Sequence, residues 1–511
     1  MLQLLAQDAK KSELEPFNKF IGRFRDKLAY LFRERIDANA ANLKRGIPPF
    51  IFQEVFRQQP QAASIQKKYG GRGANPAEIL AVLEAASYES LALSLILGIN
   101  GALFLEPLAR MGSESLKQKV FNRFINEGTT GGLMITEPDY GTDALSMKSY
   151  WEPTPGGYHV NGLKHWAGLT GWADYWLITA RGKRSDGSLS RDLSFFVCDS
   201  SCPEQRIVVE EYFNNLGLYI IPYGRNVIDV QLPFDHKLEP NGSGVNGLMD
   251  MLHRSRMRFP GMALGYLKRL LEEAVSHCNE RKVGKCKLNK YDQVQRRLAR
   301  MQAYVTICSA MCKHAAELSS IHNNLTGEGL IANVHKTILS DYMQDAAQSL
   351  LHLTGAKGFK QDHIAGRSIT DSRPFQIFEG SNDVIYVQIA DKFIKEMRKK
   401  NQSNLYIFLT SHELTTLSAG YFKEYLDVSL SESLPQRKLV DLGKLLSCVA
   451  VADKTLLLGE SGYNKALVAA ALDVLSEDIA QHSAAYRNKP IATYHDVAGQ
   501  SWLDCVDNLG G

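Results

Sequence analysis

FQIFEGSNDVIYVQIADKF, residues 375–393, sets one carboxylate, Glu379, in an apolar turn ahead of an amphipathic run whose period is helical. Ile377 and Phe378 limit the water around that carboxylate and raise its pKa, while a helix starting after Ser381 or Asn382 favours the anion and opposes the shift. The sign of the net shift stays open at this stage. So does the role: a buried acid beside a helix start serves equally as a general base or as a capping carboxylate.

Upstream of this stretch, Val294, Leu298, Met301, Val305, Cys308, Cys312 and Ala315 step by alternating fours and threes, and Leu330, Val334, Ile338, Ala346 and Leu350 do the same, which predicts bundled helices. Further back the texture changes. YHVNGLKHW with an Asn161-Gly162 hairpin turn, YWLITA, LSFFVC, RIVVEEYF and NVIDVQL predict a small antiparallel β domain that ends at the loop NGSGVNG, residues 241–247. From Glu13 to about Asn126 the helical period returns, broken by YGGRGANP, which reads as a flexible connector and not as a phosphate loop. After KKNQSN a further helical stretch follows, including Leu467, Ala471, Leu475 and Ile479. The fold class is therefore α+β, mainly α: a helical domain (residues 1–130), a middle antiparallel β domain (131–245), a C-terminal four-helix bundle carrying Glu379 (246–398) and an appended helical domain (399–511).

A chain of 511 residues exceeds the roughly 250–300 at which one core stops growing, so several domains are expected. With 59 basic and 55 acidic residues the formal charge is +4 and no long like-charged run appears, which argues against nucleic acid as a partner. Eight cysteines without a zinc or redox spacing predict no metal site and a reducing compartment; Cys308 and Cys312, one helical turn apart, read as core. The start, MLQLLAQDAKKSELEP, reverses the order of a secretion signal, and no apolar run approaches the roughly 18 residues of a membrane span, so a cytoplasmic protein is expected.

Four segments, in order, resemble those of the acyl-CoA dehydrogenase family: GGLMITEPDYGTD (131–143) its flavin loop, GLKHWAGLTGWAD (162–174) its tryptophan segment, RSRMRFPGMALG (254–265) its helix start bearing an arginine, and IFEGSNDV (377–384) the turn with its catalytic glutamate. The resemblance runs from about Phe17 to Lys395. It implies FAD, with Glu379 taking the α proton of an acyl thioester and the β hydride passing to flavin N5. It also implies flavin contacts at Leu133, Ile135, Thr136, Thr142, Trp166 and Gly168, more distant contacts at Arg281, His352, Gly355, Ser381 and Asp383, and substrate contacts at Thr142, Arg256 and Gly380. Gly168 stands where the family has threonine or serine, and His352, Ala356 and Asp383 depart from its adenine-end pattern, which suggests altered FAD affinity and a divergent member acting on an acyl group carried by a protein and not by free CoA, with acyl-CoA kept as the other carrier.

The same resemblance implies a homo-oligomer, here a dimer, that shares FAD sites between subunits, and an electron-transfer flavoprotein as acceptor. An acyl-CoA oxidase, a flavin oxygenase and a non-catalytic scaffold of the same fold remain alternatives. For residues 401–511, a cover packed on the bundle competes with a membrane-binding surface, and the absence of a lysine-rich polar face on the helix around Leu467 favours the cover.

Overall fold

In the computed structural model, which describes residues 14–41, 43–431, 433–488 and 493–505, the chain begins with helices α1 (Phe17–Tyr30), α2 (Ala38–Ala41), α3 (Pro49–Phe56), α4 (Pro76–Glu89), α5 (Leu91–Asn100), α6 (Glu106–Met111) and α7 (Glu114–Asn126). The N-terminal stretch read above for a signal, through residue 13, lies outside the described residues. Asn75, Ser90 and Ser113 cap α4, α5 and α7 by accepting backbone N–H groups of the first turn. The connector before α4 is a tight turn and not a flexible one. A Cβ on Gly71 would collide with the Ile65 carbonyl, and Arg72 donates to Glu78 at 2.7 Å while stacking on Phe20.

One apolar stretch does reach spanning length, against the sequence reading: Leu91–Met111 is 21 residues long with mean hydropathy 1.8. It is 94% buried within the protein, where α5 packs on the bundle and on the sheet.

Strands β1 (Gly131–Met134), β2 (Tyr150–Thr154), β3 (Gly157–His165), β4 (Tyr175–Lys183), β5 (Leu189–Asp199), β6 (Val208–Tyr212), β7 (Gly224–Leu232) and β8 (Lys237–Leu238) form one sheet in the order 6-7-3-2-4-5-8, with β1 on β4. The sheet is mixed where an antiparallel one was expected, because β1 and β2 both run parallel to β4. Asn161 and Gly162 do not form the expected turn either. They lie inside β3, both paired with β7 and Asn161 also with Tyr150 of β2, and the turn falls at Pro155-Gly156. Gly162 is small for another reason: a Cβ there would press on Ser149.

Beyond the sheet come α8 (Gly244–Arg256), α9 (Phe259–Glu280), α10 (Asp292–Leu318), α11 (Gly329–Thr354), α12 (Ile364–Ser372) and α13 (Asn382–Lys399). Helices α9, α10, α11 and α13 build the bundle, and the apolar stripes found in the sequence face its core, with Cys308 fully buried and free. The appended segment adds α14 (Leu405–Leu409), α15 (Lys423–Leu426), α16 (Gln436–Glu460) and α17 (Lys465–Arg487). It is a packed cover. Helix α16 lies against α10 and α13, Arg300 of α10 donates to Asp478 of α17 at 2.7 Å, and a Cβ on Gly443 of α16 would strike the Tyr386 carbonyl.

Candidate active site

The turn before α13 is built against its own backbone preference. Glu379 has φ +56° and Gly380 φ +98°, and a non-glycine residue in that region costs about 1–3 kcal/mol unless its surroundings over-determine it. Here they do. Arg256 Nη2 donates to the Glu379 carbonyl at 2.7 Å, and Lys336 Nζ donates to the Gly380 carbonyl at 2.7 Å and to Asn382 Oδ1 at 2.6 Å. Phe259, Phe375 and Phe378 pack around the turn with ring centroids 4.9–6.0 Å apart.

The carboxylate itself is asymmetric. Oε1 accepts from Ser255 Oγ at 2.5 Å, whereas Oε2 is buried without a hydrogen-bond partner, 3.9 Å from an Arg256 Nε that is also unpartnered. Burial pushes the Glu379 pKa up, and Arg256, the Ser255 hydrogen bond and Lys336 oppose the rise without cancelling it. The sign left open by the sequence is therefore upward. A carboxylate of raised proton affinity, held at one oxygen by Ser255 and at the other only by a loose ion pair, has the capacity to take a proton.

Arg256, which the resemblance sets near the substrate, lies against the Glu379 turn. It is 6% exposed and bonds to the Glu379 carbonyl and to Asn333, so it supports the turn from beneath. Ser255 and Lys336 were missed by the sequence reading. Ser255 adjoins Arg256, and Lys336 interrupts a buried helical face otherwise made of Ala332, Leu339 and Met343.

A second group lies at the end of β3. Trp166 has φ +56° and its N–H donates to the Gly224 carbonyl at 3.0 Å. Its ring stays 54% exposed, 4.6 Å from Phe213 and 6.3 Å from Tyr223, so it presents an aromatic face and is not core. His165 N–H donates to the Thr136 carbonyl at 2.8 Å, which sets residue 136 beside the tryptophan. Glu137 anchors this loop by accepting from the N–H groups of Lys148 (2.6 Å) and Ser149 (2.9 Å) and from the fully buried Lys164 Nζ (3.0 Å). Burial pulls Lys164 down to about 8 against the attraction of Glu137.

Among the remaining sequence-derived positions, Leu133 is buried in β1 and offers no side chain to a ligand, the Ile135 carbonyl is taken by Lys164, and Thr142 is exposed on the loop. A Cβ on Gly168 would stand 2.8 Å from Ile99 Cδ1, the movable end of that side chain, so a threonine or serine here would need only a shift of that methyl. Contacts connect the two groups: Ile99 meets Gly168, the neighbouring Gly98 meets Met262, and Phe259, one turn earlier on α9, meets Phe378. Ser381 precedes α13 without a side-chain cap bond, and Asp383 is exposed in its first turn. Arg281, His352 and Gly355 are also exposed; the side chains of Arg281, His352 and Asp383 make no hydrogen bond or ion pair among the described residues.

Residues 22–127, 132–229 and 242–394 match, respectively, the acyl-CoA dehydrogenase N-terminal, middle and C-terminal domains. The chain is 25% identical over 361 residues to an acyl-CoA dehydrogenase of Bacillus subtilis (strain 168), covering 69% of this chain and 92% of that one. It is 23% identical to the mitochondrial very long-chain specific acyl-CoA dehydrogenase of Bos taurus over 70% of its own length, and spans about half of that protein (55%). An acyl-CoA dehydrogenase from Bacillus anthracis, solved in complex with FAD, superposes with a TM-score of 0.74 at 17% identity, covering 94% of this chain and 90% of the other, so the shared fold extends into the appended helices.

Proposed function

This chain belongs to the acyl-CoA dehydrogenase family, and from that premise we propose that it is an FAD-dependent enzyme removing hydrogen from the α and β carbons of an acyl thioester carried by CoA or by a carrier protein. The observation that carries the proposal is Glu379 Oε2, a buried carboxylate oxygen with no hydrogen-bond partner, only a loose ion pair to Arg256 at 3.9 Å, on an acid of raised proton affinity. That oxygen receives the α proton. Ser255 keeps the other oxygen fixed, so the carboxylate does not rotate away, and the phenylalanines around the turn exclude water from the proton's path.

The residues present fit FAD. The exposed, rigidly held face of Trp166, walled by Phe213 and Tyr223, suits a flat aromatic ring, and the loop around Thr136 and Thr142 offers backbone groups and hydroxyls beside it. When bound, FAD supplies the hydride acceptor that no amino-acid side chain provides. The free side chains of Arg281 and His352 support a homodimer in which one copy reaches the cofactor of the other, and an electron-transfer flavoprotein is the acceptor that goes with a dehydrogenase. A reducing, cytoplasmic setting is part of the proposal, supported by eight cysteines that all stand as free thiols.

Anaerobic mixing of the FAD-loaded protein with a panel of saturated acyl thioesters tests the reading, with flavin bleaching as the signal. At least one thioester is expected to bleach the wild type, and Glu379→Gln is expected to keep FAD and lose about 10² to 10⁴ in rate. No bleaching with any thioester, or full activity in the variant, refutes it. Oxygen consumption in aerobic turnover distinguishes an oxidase from a dehydrogenase.

A further inference from the structure

Lys336 lies on α11 with its side chain wholly enclosed. An ammonium group is costly to bury unless it is paired and hydrogen-bonded, and both Nζ acceptors belong to the turn of the base: the Gly380 carbonyl at 2.7 Å and Asn382 Oδ1 at 2.6 Å. Asn382 is tied down in its turn, its Nδ2 donating to Asp341 Oδ1 at 2.7 Å and to Ser340 Oγ at 3.0 Å. Three charged groups act on the lysine: Glu379 on the turn, Arg256 from α8 and Asp341 from the next turn of α11. With Arg256 on the Glu379 carbonyl and Lys336 on the Gly380 carbonyl, two successive peptide planes are gripped from the protein side by buried cations.

We propose that Lys336 is a positioning residue for proton abstraction: its hydrogen bonds lock the left-handed turn that sets the Glu379 carboxylate, and they place a second positive charge, beside that of Arg256, on the protein side of the turn. The proposal deepens the dehydrogenation reading and rests on it for its catalytic meaning. Burial draws the lysine down to about 7 while Glu379 holds it up, and the lysine in turn lowers the proton affinity that burial raises in Glu379. Base and lysine therefore stabilise each other's charged forms across the turn.

The test uses the full FAD-loaded chain with Lys336→Met, which removes charge and donor, and Lys336→Gln, which removes the charge but keeps a donor for the Gly380 carbonyl. The first readout is the infrared carboxyl band of Glu379, identified as the band lost in Glu379→Gln and titrated against pH. Both variants are expected to move its midpoint up, the direction that loss of a nearby positive charge gives, and by less than loss of the closer Arg256 would. The second readout is the limiting rate of flavin bleaching at pH 7, expected to fall about tenfold in Lys336→Gln and further in Lys336→Met, and to recover in Lys336→Gln as pH rises. An unmoved midpoint in a folded variant overturns the proposal, whatever happens to the rate. Should Lys336→Met not fold, Lys336→Gln decides. Should no thioester bleach the wild type, the dehydrogenation reading falls by itself, while the infrared titration still tests Lys336.

Discussion

Ser255 Oγ donates to Glu379 Oε1 at 2.5 Å across a sequence separation of 124 residues, and that one bond divides the carboxylate into an oxygen with a hydrogen bond and one without. A hydrogen bond to the ionised form lowers a carboxyl pKa, and here it opposes the dominant effect of burial. Ser255→Ala should therefore raise the proton affinity of Glu379 further. The rate of flavin bleaching against pH is expected to shift to higher pH, with a loss of about tenfold at pH 7 that is recovered in alkaline buffer, since a hydrogen bond to a charged group contributes roughly 1.5–3 kcal/mol. A pH profile superimposable on the wild type would show that the serine does not act on the base.

Gly168 and Ile99 make a size-coupled pair, because a Cβ at 168 falls 2.8 Å from Ile99 Cδ1. Gly168→Ser restores the residue type usual in the family and should lower the melting temperature slightly, by about 1 kcal/mol or less, because the obstacle is the movable end of Ile99. Ile99→Val removes the offending methyl. The double variant is expected to recover most of that loss, and thermal melts of the four proteins in the cycle check it: additive effects would mean that the two side chains do not meet.

Glu137 and Lys164 form a buried pair under the loop that carries Thr136. Lys164→Met leaves a buried carboxylate whose remaining partners are backbone N–H groups, and breaking such a pair costs roughly 3–5 kcal/mol. FAD retention should weaken with it. The pH dependence has a definite sign. Between about 8 and the unperturbed 10.5 the unfolded chain keeps a proton that folded Lys164 has released, so this group's contribution to stability increases as pH rises through that window. Melting temperatures of wild type and variant, compared at pH 7.5 and pH 10, should diverge in favour of the wild type; convergence would contradict the assignment.

What could be read from the sequence followed from how local its signals are. The helical stripes of α10 and α11 are periodic patterns within one element, and the structure places them as expected. Of the two apolar neighbours of Glu379, Phe378 packs against the turn as read, whereas Ile377 is 58% exposed and the shielding comes instead from Phe259 and Phe375, which are distant in sequence or on the preceding turn. Asn161-Gly162 misled because a turn dipeptide and a glycine forced by close approach to Ser149 look alike until the neighbouring strand is in place. Leu91–Met111 was passed over as a long apolar stretch because Asn100, Glu106 and Arg110 break up its run of apolar letters. Lys336 was not noticed because which way a cation points across a helix contact depends on packing between segments far apart in the chain.

Gly443 of α16 and Tyr386 of α13 define how closely the appended segment seats on the helix that starts at the base. A Cβ at 443 would collide with the Tyr386 carbonyl, and because that obstacle is backbone it cannot swing aside. From Tyr386 a line of hydrogen bonds leads inward: its hydroxyl donates to Asp341 Oδ2 at 2.6 Å, Asn382 Nδ2 donates to Asp341 Oδ1, and Lys336 Nζ donates to Asn382 Oδ1. Gly443→Ala should thus act at two distances. Alanine gains roughly 0.5–1 kcal/mol over glycine in a helix interior, yet the collision costs about 1–3 kcal/mol, so a net fall in melting temperature is expected. Loosening α13 should also slow flavin bleaching. Gly420→Ala, where a Cβ meets open space, serves as the control and should change stability by no more than about 0.5 kcal/mol. Truncation from residue 401 extends the same logic by uncovering the faces of α10 and α13 that α16 buries, giving aggregation or loss of FAD. If Gly443→Ala melts like Gly420→Ala, and the truncated chain stays soluble and active while losing an affinity for liposomes, the appended helices are not a cover for the base helix and the membrane-surface role takes its place.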